Sequence, residues 1–147
     1  MNQPHTSTIV HTSYWDFFQH YYSPQLKKID LLIKTMDRVL SVEEASRALH
    51  LNENLIKKIM AEKNISIIDK EGLLSILMHG DSPLCGLLQR EFMRGSPSMY
   101  SPEDISYVYG LQKEHVESVF QNSGFNERVS AETLPQVLDK VFVFIMK

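Results

Sequence analysis

The chain has 147 residues, 43% of them hydrophobic and 22% charged, with a formal net charge of -3. That length holds one well-buried core or two small units sharing one, and that composition excludes wholesale disorder. The charge excludes a global attraction to nucleic acid or acidic membrane, and the single cysteine, Cys85, excludes an internal disulfide.

Residues 1–12 are polar and unpatterned and read as a flexible tail. Residues 13–40 read as an N-terminal pair of helices. Ser13 and Asp16 form a capping-box variant ahead of an aromatic helix carrying Trp15, Phe17, Phe18, Tyr21 and Tyr22. Ser23-Pro24 opens the second helix, in which Leu26, Ile29, Ile33, Met36 and Leu40 recur at three- and four-residue spacing, a core-facing stripe. Residues 41–80 form the next unit. Ser41 caps a helix whose first turn holds Glu43 and Glu44, a turn at His50-Leu51 follows, and a helix from about Glu53 to Glu62 comes next. Ile65, Ile67 and Ile68 make a short extended piece, and Asp69 caps a helix that Gly80 ends. Residues 81–95 are a connecting helix opened by Ser82-Pro83, and residues 96–100, overlapping the breaker-rich stretch Gly95–Met99, read as a linker. Residues 101–147 repeat the pattern: a helix from Ser101-Pro102, a turn at Gly110-Leu111, a helix to about Asn122 stopped by Gly124, and a C-terminal helix from about Ser130. Pro135 falls in the first turn of that last helix, and the closing residues from Val141 to Met146 suit helix or strand equally.

Ser41 laid on Ser101 aligns twenty residues without a gap, SVEEASRALHLNENLIKKIM on SPEDISYVYGLQKEHVESVF. Ser41/Ser101, Glu43/Glu103, Ser46/Ser106 and Leu51/Leu111 are identical, and Ile56/Val116 and Ile59/Val119 are close substitutes. These are the demands of two short helices crossing at a tight turn. Ala45 and Leu49, or Ile105 and Tyr109, bury the first helix. Ser46 and Ser106 are small where the helices approach. Gly110 tolerates a positive φ and His50 is an acceptable substitute; Leu51 and Leu111 plug the corner. A plain pair of antiparallel helical hairpins is the alternative. The fold class expected is all-α, a compact helical domain with two tandem helix-turn-helix units behind two N-terminal helices.

The stretch Ser41-Val42-Glu43-Glu44-Ala45-Ser46, followed by Leu49-His50-Leu51, resembles the DNA-binding head of MerR-type regulators and excisionases, whose motif opens S/T-x-E-E-A-A and ends L-G-V/L. The resemblance spans about 40 residues of each copy at the superfamily level and implies transcription regulation through duplex DNA. In those families a β-hairpin wing follows; here residues 65–69 are too short for one, so the wing is lost or reduced.

In the first copy the outward set includes Asn52, Asn54, Lys57 and Lys58, with Lys63 just beyond and Arg47 on the preceding helix. Asn pairs with adenine, and Lys suits guanine or phosphate. A merely solvated helix face is the alternative for these lysines. In the second copy Glu114 and Glu117 stand outward, where they would repel phosphates, so that copy reads as a fold-holder or protein-contact surface. Residues 24–70 carry nine Lys and Arg against seven Asp and Glu, while residues 96–147 carry four against seven. Trp15, Phe18 and Tyr22 suit either core or a protein or homodimer contact.

His5, His11, His20, His50, His79 and His115 lack metal-ligand spacing, and no phosphate loop, HExxH or nucleophile elbow occurs. No enzyme activity, metal, cofactor or small-molecule ligand is indicated. A lone thiol points to a reducing compartment. No run nears the roughly 18 apolar residues that span a bilayer, and the start is not that of a secretory signal, so a cytoplasmic location without membrane contact is expected. The leading expectation is a DNA-associated regulator; the alternative is a protein-protein adaptor reusing the same fold without DNA.

Overall fold

A computed structural model describes residues 9–94 and 98–146. In chain order its elements are β1 (Ile9–Ser13), α1 (Tyr14–Tyr21), α2 (Ser23–Thr35), α3 (Val42–Leu49), α4 (Glu53–Glu62), α5 (Lys70–His79) and α6 (Pro83–Met93). β2 (Met99–Tyr100), α7 (Pro102–Tyr109), α8 (Lys113–Ser123), β3 (Val129–Ser130), α9 (Leu134–Asp139) and β4 (Phe142–Met146) follow. Helices dominate, with two small two-stranded sheets, β1 with β4 and β2 with β3. The chain divides into two compact units: a first of residues 22–97 and a second of residues 1–21 with 98–147.

In the first unit α2 to α6 enclose a core of Ile29, Ala45, Leu49, Leu51, Ile56, Ile59, Leu73, Ile76, Leu77 and Leu84. Each fully buried Leu or Ile contributes roughly 1.5–3 kcal/mol relative to an exposed one. The stripe expected to run helically to Leu40 breaks at Thr35. The Thr35 hydroxyl donates to Leu31 O at 2.8 Å, Met36 turns extended, and Leu40 instead donates its N–H to Ile68 O at 2.9 Å. A short Ser or Thr side chain bonding back to the helix competes with its continuation. Burying Leu40 beside Ile68 then favours the extended form. The expected extended piece over 65–68 is this one antiparallel Leu40–Ile68 pair.

In the second unit α1, α7, α8 and α9 bury Tyr14, Ile105, Val116, Val119, Phe120, Val137 and Leu138. Of the expected tail, residues 1–8 lie outside the described residues, but Ile9–Thr12 are not loose: β1 pairs antiparallel with β4, His11 opposite Phe144 and Ser13 opposite Phe142. The expected C-terminal helix accordingly ends at Asp139, and the rest is strand. Val, Phe and Ile alternate well on a pleated surface, and IVHTS supplies the partner from the far end of the chain. The expected linker fares similarly: residues 96 and 97 lie outside the described residues, and Met99–Tyr100 pair with Val129–Ser130. The N-terminal helical pair over 13–40 is divided, α1 belonging to the second unit and α2 to the first.

Candidate nucleic-acid interface

The helical pairs α3–α4 and α7–α8 carry the same local devices sixty residues apart. Ser41 Oγ accepts from Glu44 N at 3.0 Å while the Glu44 carboxylate accepts from Ser41 N at 3.2 Å; Ser101 and Asp104 do the same at 3.1 and 2.9 Å. The corners turn through left-handed residues, His50 at φ 56 and Gly110 at φ 68. The second helices end on left-handed Asn64 at φ 56 and Gly124 at φ 69. Leu40 pairs with Ile68, and Tyr100 with Val129, so each pair of helices is flanked by a short antiparallel bridge. Between α4 and α5 the described residues add no hairpin beyond that bridge.

Six residues of the first unit were expected to face DNA. Asn54, Lys57, Lys58 and Lys63 are exposed on α4 and its C-terminal cap, and their side chains hold no hydrogen bond or ion pair among the described residues. Asn52 is exposed too, but its Oδ1 caps α4 by accepting from Asn54 N at 2.8 Å, leaving only the amide group to reach outward. Arg47 stands on α3 and is paired with Glu43 at 2.9 Å across one helical turn. That exposed pair is weak and yields readily to a phosphate. Glu53 and Glu62 flank the lysines and dilute their field.

The second unit inverts that pattern. Position for position, Glu53 corresponds to Lys113, Asn54 to Glu114 and Lys57 to Glu117. Lys113 Nζ lies 2.8 Å from Glu103 and 3.7 Å from Glu117. The Glu103 carboxylate, hydrogen-bonded to it, raises its pKa above the ordinary lysine value. Glu114 is exposed and uncompensated by any ion pair among the described residues. Over the whole sequence the first unit carries eleven Lys and Arg against ten Asp and Glu, and the second four against eight.

The aromatic residues expected to make a protein contact fall in different units. Trp15 and Phe18 stack at 5.8 Å and pack half-buried on the second core, while Tyr22 packs on the first. Phe142 and Phe144, which the sequence does not mark as site residues, are the exposed aromatics of β4. Only the strand pairing, invisible in the local pattern, turns them outward. Cys85 is buried, its thiol pushed up by that burial, beside Ser82, whose Oγ donates to Leu49 O at 2.8 Å. Among the described residues no cluster of three or more His, Cys, Asp or Glu is placed to hold a metal ion, and no helix is long and apolar enough to cross a membrane. Comparison with protein-family models, curated proteins and solved structures yields no match for this chain.

Proposed function

We propose that the chain is a non-enzymatic, DNA-associated regulatory protein whose α4 enters the major groove of duplex DNA. One observation carries this: Lys57, Lys58 and Lys63 stand exposed and unpaired beside Asn54 on α4 and its C-terminal cap, whereas α8 has Glu117 and Ser118 at the positions of Lys57 and Lys58, and its one lysine, Lys113, is neutralised by two carboxylates. Lysines free of intramolecular partners release counterions when they meet phosphate, which drives such binding. Asn54 then supplies an amide for a base edge, and Asn52 keeps its cap. Arg47 exchanges Glu43 for a backbone phosphate. With no wing to add contacts, affinity is modest and dominated by the salt-dependent part.

Titration on a nonspecific duplex at two salt concentrations tests it. Neutralising two or three phosphates gives a slope of roughly -2 to -3 in log K against log salt. Lys57→Glu/Lys58→Glu abolishes binding with the fold intact. No binding of the unaltered protein at the lower salt sinks the proposal. A second reading, a protein-contact adaptor in the same cytoplasmic setting, draws on the acidic α8 face, with Glu114 and Glu117 opposing nucleic acid and suiting a basic partner.

A further inference from the structure

The two corners differ in what covers them. In the first unit Leu51 is only 3% exposed, because the chain around Gly80 lies directly over it: a Cβ on Gly80 would stand 2.7 Å from Leu51 Cδ1. In the second unit Leu111 is half-buried and lines an open cavity of about 610 Å³. That volume is within the roughly 300–1,000 Å³ typical of small-molecule sites.

One wall is aromatic. On the outer face of the β1–β4 ribbon His11 stacks on Phe142, ring centroids 5.0 Å apart and planes 24° apart, and meets Phe144 at 4.9 Å and 30°. Phe144 is 72% exposed, with only His11 against it among the described residues, which is costly for a phenyl ring. The opposite wall is polar. Gln112 occupies the N-cap of α8 yet makes no side-chain cap bond, unlike its counterpart Asn52. His115 replaces the core-packed Leu55 and lines the same cavity. Neither His115 nor Gln112 has a side-chain hydrogen-bond partner among the described residues.

We propose that this cavity binds a small planar aromatic molecule with a hydrogen-bonding edge. Its ring stacks on the wall of His11, Phe142 and Phe144 over Leu111, and its polar edge meets Gln112 and His115. Offset stacking on such a wall adds attraction beyond area burial. The site lies wholly in the second unit and does not depend on DNA binding by the first.

The test is an NMR titration of the isotope-labelled full chain with naphthoate, which has a fused ring and a carboxylate edge. The expected result is saturable shifts at His11, Leu111, Gln112, His115, Phe142 and Phe144. Phe144→Ala and Gln112→Ala, both at exposed positions, each weaken binding by about tenfold with the remaining spectrum unchanged. Shifts that do not saturate, or that persist unaltered in both variants, overturn the proposal. So do concentration-dependent shifts at these residues without naphthoate, since a second copy would then fill the cavity.

Discussion

Ser46 and Leu51 lock the first corner with two opposed hydrogen bonds: the Ser46 hydroxyl donates to Leu51 O, and Leu51 N donates to Ser46 O at 3.1 Å. Ser106 and Leu111 repeat the arrangement, with the backbone bond at 3.2 Å. Serine therefore meets two demands there, a small volume and a donor for a carbonyl that the turn leaves half-buried.

Ser46→Ala and Ser106→Ala keep the volume and remove the donor. Each is expected to lower stability by about 1 kcal/mol, the net worth of a hydrogen bond plus part of the desolvation of the stranded carbonyl. Urea unfolding measures this. An unchanged midpoint in both variants would show that the hydroxyls are idle.

At the neighbouring position the two corners predict opposite signs. His50 and Gly110 share the left-handed conformation, at φ 56 and φ 68. A side chain there costs about 1–2 kcal/mol, partly offset by the roughly 0.4–1 kcal/mol that glycine loses through its freer unfolded chain. His50→Gly is thus expected to stabilise by about 0.5–1 kcal/mol, and Gly110→Ala to destabilise by as much. A Cβ at Gly110 meets nothing within 4 Å, so the effect there is purely conformational. Thermal melts of the two variants that move in the same direction contradict the assignment.

Local signals explain which parts of the fold were legible. Ser41, Asp69, Ser82 and Ser101 cap helices because each oxygen reaches an N–H two or three residues on, a relation contained within four residues of sequence. The pairing of Ile9–Ser13 with Phe142–Met146 is not contained in any window; it overturns the loose tail expected over residues 9–12 and settles as strand the closing residues that suited helix or strand equally. Leu40 misled for a related reason: its helical spacing from Met36 is real, but its partner Ile68 lies beyond two intervening helices. For the interface, exposure of Lys57 and Lys58 followed from periodicity. The pairing of Arg47 with Glu43 is an i,i+4 relation legible in the sequence, and it competes with the phosphate contact expected of Arg47. The cavity beside Leu111 needs three separate segments and left no trace in the sequence.

The capping box of α3 carries a pH signature. Glu44 is held at a pKa of about 2, chiefly by hydrogen bonding from the Arg38 guanidinium and next by the Ser41 N–H. A carboxylate whose folded pKa is depressed stabilises the fold above its unfolded value of about 4.3, and that contribution disappears as pH falls through the folded pKa. Glu44→Gln keeps a side chain able to serve at this helical position but loses the charge. The melting-temperature gap between the unaltered protein and Glu44→Gln is therefore expected to be full at pH 6 and to narrow steadily from about pH 5 to about pH 2. Added salt narrows it as well, since the Arg38 pair is exposed. A gap independent of pH over that range assigns the difference to shape and not to charge.

Alanine at two helical glycines separates propensity from space. In a helix interior Gly→Ala gains about 1 kcal/mol when the new methyl group is unopposed. At Gly86 of α6 a Cβ would meet only the far end of the Arg90 side chain, at 3.0 Å, and a terminal guanidinium can swing aside by a few tenths of an ångström. Gly86→Ala is expected to stabilise by most of that 1 kcal/mol. At Gly72 of α5 the same atom would stand 2.7 Å from the backbone carbonyl of Ile67. That carbonyl cannot retreat without shifting the neighbouring Ile68, which receives Leu40 N in the bridge, or Asp69, whose carboxylate caps Gly72 N at 2.8 Å. Overpacking against a fixed neighbour costs roughly 1–3 kcal/mol, which exceeds the propensity gain. Gly72→Ala is expected to be net destabilising by about 1–2 kcal/mol. Loss of amide protection at Leu40 by hydrogen exchange would trace the cost to the bridge, and a stabilised Gly72→Ala would mean that the loop before α5 yields.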